Sequence, residues 1–465
     1  MSNFLYAELP KWGTGILALV PGIGASHNKF SFFLYSGRSR VCMKKFKLPL
    51  MLLIGVLLGL LTTPRFAPVR GQVDWQISKV MADIKYAISP PEEVIFVPRQ
   101  NSIPETGGEL PLFTVTVATA VPKVMSSATP SLAYTPAATP TSFPKKTVLS
   151  GFKHEYQEWN NCGPATLAIA LSYWGWKGSQ EPIAAFAKPN PRDKNVMPYE
   201  LTAYVEEETE YEVVSRVGGN IDLLKRFLAA GLPVMIEKGM DLPKDGWMGH
   251  YVLATGYNDA DGRFTLQDSY FGLDQIMTYD DLMLNWRAFD FQYLVIYPSD
   301  KRADVEAILG PYLNEDYSFQ SAAALASGVI YSLSGRDQFF AWYNRGTSLM
   351  RLRDYGGAAA AYDQAFSLYP AIPEKQRPWR MVWYQTGPYW AYYYTGRYQD
   401  VIDLATKTLG AMSEPVLEES YYWRALARES LGDTKGAIKD LRSSLQYHSG
   451  FEPGVTKLRD LGRNP

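Results

Sequence analysis

The sequence predicts an α+β domain followed by an all-α domain, both behind an N-terminal transmembrane anchor. Three observations carry this. An uncharged apolar run occupies residues 48–63. Helix-like and strand-like segments mix between about residues 148 and 298. Beyond about residue 300 the strand signals stop and only helical patterns continue. The 465 residues leave room for these parts at roughly 100–200 residues per domain.

The apolar run reads LPLMLLIGVLLGLLTT, with Lys44, Lys45 and Lys47 before it and Arg65 after it. Its ~16 residues fall between a signal-peptide core and a full span of ~20. The basic flank should stay in the cytoplasm, which places everything after residue 65 outside. Pro64 and Arg65 interrupt a small-x-small cleavage site, so residues 43–65 are expected to form an uncleaved anchor. Met43 begins MKKFKLPLMLLIGVLLGLL, a well-formed start, and residues 1–42 read as a mis-assigned start or a disordered extension. Residues 66–147 read as a linker rich in Pro, Thr and Ser, with room for a short helix around 74–87.

Composition narrows the function. Lys+Arg number 46 and Asp+Glu 47, so no basic field covers the chain and nucleic acid is not an expected partner. The cysteines are Cys42 and Cys162, and the histidines are His27, His154, His250 and His448. A disulfide framework and a cysteine-rich zinc site are excluded, and no metal or cofactor is expected. A single anchor without disulfides points to a bacterial cell envelope.

In the α+β domain, NNCGPATLAIALSYWGW predicts a buried helix over about 163–174, and 221–230 predicts a second, ended by Gly231. Segments 232–238, 251–257, 263–268 and 292–298 are rich in β-branched and aromatic residues and predict strands of a mostly antiparallel sheet. NDADG at 258–262 predicts the turn of a hairpin.

Cys162 stands just before Gly163 and Pro164, and Pro suits the first turn of a helix. Asn160 and Asn161 are candidate caps. At a helix N-terminus, free N–H groups and the helix dipole favour a thiolate, the nucleophilic form of the side chain. A thiolate nucleophile needs a base, and only His154 and His250 lie in this domain. His154 reads as a surface residue. His250 precedes a predicted strand. A hairpin centred on residue 260 sets residue 252 opposite 268, leaving His250 and Asp268 on one face a diagonal step apart. Asp268 is then placed to orient the imidazole. Gln157 lies five residues before Cys162, where its amide could join the Cys162 N–H in holding an oxyanion.

These residues show a resemblance. Gln157 and Cys162-Gly163-Pro164-Ala165, then Gly249-His250-Tyr251-Val252, Gly256-Tyr257 and Asp268-Ser269-Tyr270, look like the C39-like cysteine peptidases, a papain-like family. The likeness covers about 148–298. It implies a papain-like α+β fold with Cys162 as nucleophile, His250 as general base and acid, Asp268 as its partner and Gln157 in the oxyanion hole. Better-known members cut leader peptides and are fused to ABC transporters. This chain shows no G-x-x-x-x-G-K-[ST] loop.

Residues 299–337 read as a helical connector and 338–451 as tetratricopeptide repeats. Trp342, Gly346, Leu349, Tyr355, Ala358, Tyr362, Ala365 and Pro370 fall at the spacing of that repeat. Weaker copies are centred on 395–405 and 421–445, and the aromatics at 379–394 read as repeat core. The whole predicts a membrane-anchored, extracytoplasmic cysteine peptidase that takes a peptide or protein substrate and binds a protein partner through its repeats. A transglutaminase-like amide-transfer enzyme and a non-catalytic peptide-binding scaffold are the rival readings.

Overall fold

The computed structural model describes residues 80–91, 94–99, 144–190, 192, 193 and 195–465. The anchor expected at 43–65, the segment 1–42 and most of the linker lie outside these residues. Among the described residues no helix is long and apolar enough to cross a membrane.

Seven strands form one sheet: β1 Lys146–Val148, β2 Glu212–Arg216, β3 Val234–Leu242, β4 Gly246–Asn258, β5 Arg263–Asp268, β6 Gly272–Thr278 and β7 Tyr293–Tyr297. Their order is β2-β7-β3-β4-β5-β6, with β1 beside β4. All the pairings are antiparallel. The helices before β2 are α2 Cys162–Tyr173, α3 Gln180–Ala187 and α4 Pro198–Glu208; α1 covers residues 80–88. Helices α5 Ile221–Ala229 and α6 Tyr279–Trp286 flank the central strands in sequence.

Both faces of the central strands are covered, which explains their nearly unbroken apolar runs. Val234, Ile236, Val252, Ala254 and Val295 pack in one core with Leu224, Phe227 and Leu228 of α5. Met235, Tyr251, Leu253, Leu294 and Ile296 pack in another with Leu167, Ile169 and Leu171 of α2. In the hairpin, Leu253 faces Gln267 and Ala254 faces Leu266, the register expected from a turn at residue 260. A bulge between Ala254 and Gly256 shifts it by one residue beyond.

Strand propensity misses three elements, β1, β2 and β6, and shortens β3 and β4. β2 and β6 carry mixed polar sequences, and β6 is largely exposed. β4 starts at Gly246, five residues before the apolar run begins. Its glycines are required by packing. Gly249 pairs with Gly239 across the sheet. A Cβ at Gly249 would lie 2.7 Å from the Phe289 ring, and one at Gly239 would lie 2.8 Å from Trp247.

The helices after β7 are α7 Arg302–Leu309, α8 Glu315–Val329, α9 Gly335–Arg351, α10 Tyr355–Leu368, α11 Met381–Tyr384, α12 Gly387–Tyr394, α13 Tyr398–Ala411, α14 Glu418–Ser430, α15 Thr434–Tyr447 and α16 Glu452–Asp460. Val305 and Leu309 of α7 complete the core beside α5, so the first half of the expected connector packs as part of the sheet domain. The paired helices follow the repeat logic. A Cβ at Gly346 in α9 would lie 2.8 Å from the Tyr362 ring of α10. Asp354 and Asp433 cap the second helix of their hairpins, accepting from Gly357 N at 2.9 Å and Gly436 N at 2.8 Å.

The two domains share a core. Trp247, Ala288 and Phe289 of the sheet domain belong to the same apolar cluster as Phe340, Tyr343 and Tyr362 of the repeats. Polar contacts ring it. Arg336 pairs with Asp241 at 2.8 Å, and Asn344 Nδ2 donates to Arg287 O at 2.6 Å. Ser348 Oγ donates to Asp290 Oδ2 at 2.6 Å. Residues 94–99 strap across the repeats. Phe96 is buried edge-on to Phe366 at 4.9 Å. Arg99 donates its N–H to Asp400 and pairs with Asp403 at 3.0 Å.

Two consequences are measurable. Truncating the strap's anchor by Phe96→Ala should cost about 3 kcal/mol in chemical denaturation. Asp290 is buried, and burial, only partly offset by the Ser348 hydrogen bond, pushes its carboxyl up to about 8. In the unfolded chain it ionises near 4. Between about pH 4 and 8 the folded state therefore binds a proton that the unfolded state lacks, and stability falls as pH rises through that window. Asp290→Asn keeps an acceptor for Ser348 and suits the left-handed φ of 52°. Its denaturation midpoint should gain on wild type from about pH 4 to pH 8 and level off above; parallel profiles would contradict this account.

Candidate active site

The site forms where α2 begins against β4. The chain before α2 turns at Asn160, which adopts a left-handed φ of 53° and donates Nδ2 to Asp193 O at 2.9 Å. Asn161 occupies the N-cap position, but its side chain makes no capping bond. It donates instead to Gln180 Oε1 at 3.2 Å and accepts from Lys188 Nζ at 2.9 Å. The expectation that these asparagines cap the helix is thus corrected: both brace the loop from the side, and the first N–H groups of α2 stay open. Gln180 is the hub of this bracing. It also accepts from Glu158 N at 2.7 Å and donates to Tyr156 O at 2.8 Å.

Cys162 is the first residue of α2 and is half-buried. Its sulfur is set beside the His250 side chain and the backbone N–H groups of Tyr251 and Gly163. His250 Nε2 lies 2.9 Å from Asp268 Oδ1. With Nε2 committed to Asp268, Nδ1 is the ring nitrogen left for the thiol. The pair is deeply enclosed, His250 being 2 % exposed and Asp268 4 %. Asp268 Oδ1 also accepts from Tyr270 N at 2.8 Å and Phe271 N at 3.0 Å, so the β5–β6 turn holds the carboxylate. Gln157 joins through Ser269. Its N–H donates to Ser269 O at 2.9 Å, and its Oε1 accepts from Ser269 Oγ at 3.0 Å. That fixes the amide plane with the NH2 turned away from Ser269.

The electrostatics follow from these contacts. Burial by itself would raise the Cys162 thiol, but the hydrogen bond and charge of His250, then the two N–H groups, bring it below its usual value. Burial would lower His250; the bonds to Asp268 and Cys162 outweigh it and raise the imidazole. Burial would raise Asp268; His250 and the two turn amides hold it down at about 2. The arrangement favours a thiolate–imidazolium pair steadied by a carboxylate. It can attack a carbonyl carbon and hand a proton to a leaving group. Among the described residues no His, Cys, Asp and Glu side chains are grouped to hold a metal ion.

Three features escape the sequence. Glu237 and Lys238 on β3 are each 4 % exposed and pair across the sheet with Tyr251 and His250. Burial, then the Cys162 charge, hold the Glu237 carboxyl well above the carboxylate range, where it bonds the Tyr251 side chain. Burial lowers the Lys238 ammonium against the opposing pull of Asp268 and Asp241. Two charges at the end of an apolar strand, beside the histidine strand, were the available signal. His154, expected on the surface, has both ring nitrogens buried without a hydrogen-bond partner, and its ring stands edge-on to Tyr156 at 5.1 Å. Tyr384, read as repeat core, packs against the cluster of Trp383 and Leu409 in the repeats and is also set against Gly249 of β4.

Alkylation of Cys162 by iodoacetamide, followed against pH, reads the pair directly. Wild type should titrate below the ordinary thiol value of ~8.5. His250→Ala removes the downward influence and leaves burial, so the apparent pKa should rise by at least about one unit. Asp268→Asn should shift it the same way by less. Identical profiles in all three proteins would refute a thiolate–imidazolium pair.

Residues 149–294 match the model of the Peptidase_C39 like family. Residues 339–372 match that of the tetratricopeptide repeat. Among solved structures, a C39-like peptidase from Bacillus anthracis is 18% identical, covering 32% of this chain and 96% of its own, with a TM-score of 0.28. The peptidase domain of Streptococcus ComA, a bifunctional ABC transporter involved in a quorum sensing pathway, is 14% identical over 32% of this chain and 100% of its own, with a TM-score of 0.26. Xylellain, a cysteine protease from Xylella fastidiosa, is 17% identical over 34% of this chain and 87% of its own, with a TM-score of 0.27. No curated protein matches the chain. The chain carries a C39-like peptidase domain at residues 149–294, and a tetratricopeptide repeat follows it at 339–372.

Proposed function

We propose that this protein is a cysteine peptidase working through an acyl-enzyme. The observation that carries the reading is the unbroken chain of contacts from Cys162 through His250 to Asp268. The Cys162 thiolate attacks the scissile carbonyl carbon, and the carbonyl electron pair moves onto oxygen. The Cys162 N–H and the Gln157 amide hold that oxyanion. As the C–N bond breaks, His250 gives its proton to the leaving amine, and a thioester remains. His250 then takes a proton from water, whose hydroxide adds to the thioester carbon; the C–S bond breaks, the acid leaves, and the thiolate–imidazolium pair is restored. Asp268 keeps the imidazole in the orientation that both transfers need.

The reading extends to place and partners. Residues 48–63, flanked by Lys44, Lys45 and Lys47, anchor the chain with its globular part outside the cytoplasm. The substrate is a peptide or protein, and the repeats bind a protein partner.

Full-length protein in detergent, presented with a peptide library, should release products carrying a new carboxyl terminus. Cys162→Ala and His250→Ala should each lower kcat/KM by about 10³-fold or more, and Gln157→Ala by about 10². A mass showing a transferred amine in place of water would identify the amide-transfer reading. Products that form equally well with Cys162→Ala would reject a cysteine mechanism.

A further inference from the structure

Tyr384 closes α11 in the repeat domain, yet its ring lies at the peptidase site. A Cβ on Gly249 would sit 3.1 and 3.2 Å from its ring carbons, and Gly249 immediately precedes His250. Residues 249 and 251 share a face of β4, the face on which Tyr251 meets Glu237. Cys162 packs on that face too, against the cluster that holds Tyr251. The ring is gripped edge-on by Trp247 at 6.0 Å and Phe289 at 5.7 Å.

Its backbone is anchored to the peptidase domain on both sides. Four residues before, Arg380 Nη1 donates to Asp245 O at 2.6 Å and Trp247 O at 2.8 Å. One residue after, Gln385 Nε2 donates to Ala288 O at 3.0 Å. Burial, opposed by Arg380 and by the Gly249 N–H that the hydroxyl accepts, and reinforced by the Cys162 charge, raises the phenol, so its hydroxyl stays neutral with its own proton free to donate. Tyr384 nonetheless keeps part of its surface accessible.

We propose that Tyr384 is a substrate-contacting residue that the repeat domain lends to the cleft beside Cys162, an inference that rests on the peptidase reading above. Its ring forms an aromatic wall for a substrate side chain, and its hydroxyl donates to a carbonyl of the bound peptide. The repeat domain thereby shapes specificity in cis.

Two reagents separate the cleft from the thiolate. Iodoacetamide reports the reactivity of Cys162 alone; a dipeptidyl epoxide reports reactivity plus the fit of a peptide. In the full-length protein, Tyr384→Phe keeps the ring packing and should slow epoxide labelling about 3- to 10-fold, the range of one lost hydrogen bond. Iodoacetamide labelling should change less than about twofold. Tyr384→Ala should slow the epoxide further. In peptide hydrolysis the loss should appear as a raised KM at nearly constant kcat. An epoxide-to-iodoacetamide ratio unchanged in both variants overturns the proposal. Wild type that labels with both reagents but hydrolyses no peptide overturns the peptidase reading, while the labelling ratio still decides Tyr384. A Cys162 that reacts with neither reagent overturns both.

Discussion

The His250–Asp268 pair takes two ionisable groups almost completely out of water. Such burial is costly unless every proton and lone pair is used, because the interior cannot replace hydration by itself. Much of the surrounding architecture supplies those partners. One carboxylate oxygen of Asp268 receives the imidazole and two successive turn amides. The other imidazole nitrogen meets a thiol that is itself served by the amides of Tyr251 and Gly163. The tight β5–β6 turn, with Gly272 at a φ of 119°, follows from this demand: residues 270 and 271 must aim their N–H groups back at residue 268.

The same constraint shapes the other side. A nucleophile at the first position of a helix uses open N–H groups, so the residue before it must not fill them with its own side chain. Asn161 turns away to Gln180 and Lys188, and the loop is stiffened without a cap. Glu237 fits the same logic. A second anion beside a thiolate would weaken it, and burial pushes that carboxyl away from its ionised form.

The repeats are not a detached module. Repeat arrays depend on contacts between neighbouring units, and here the first hairpin takes the sheet domain as its neighbour. Trp247 and Phe289 enter the same cluster as the repeat aromatics, and the glycines of β3 and β4 make room for those rings. The strap at 94–99 adds a further cover through Phe96. Distortion of either domain therefore reaches the strand that carries His250.

The local chemistry of this chain was legible in its sequence. Strand and turn residues between 232 and 268 set the hairpin, and alternation along two paired strands then placed residues 250 and 268 on one face, because the side-chain period of a strand is two. Gly346 and Tyr362 announced a close helix pair through their spacing. The rest depended on which distant segments meet. His154 carries no local sign that its two ring nitrogens are shut away from solvent, and a polar strand such as β6 lacks the apolar alternation that marks an edge. Glu237 and Lys238 looked like the polar end of a strand, but packing leaves each only 4 % exposed. Tyr384 lies 134 positions from His250 in the sequence, and helix spacing assigns it only to its own repeat. The hydrogen bonds of Arg380 and Gln385 to the sheet domain bring its ring against Gly249, next to His250. Periodicity constrains neighbours within an element, whereas burial and long-range contact arise only when the elements pack.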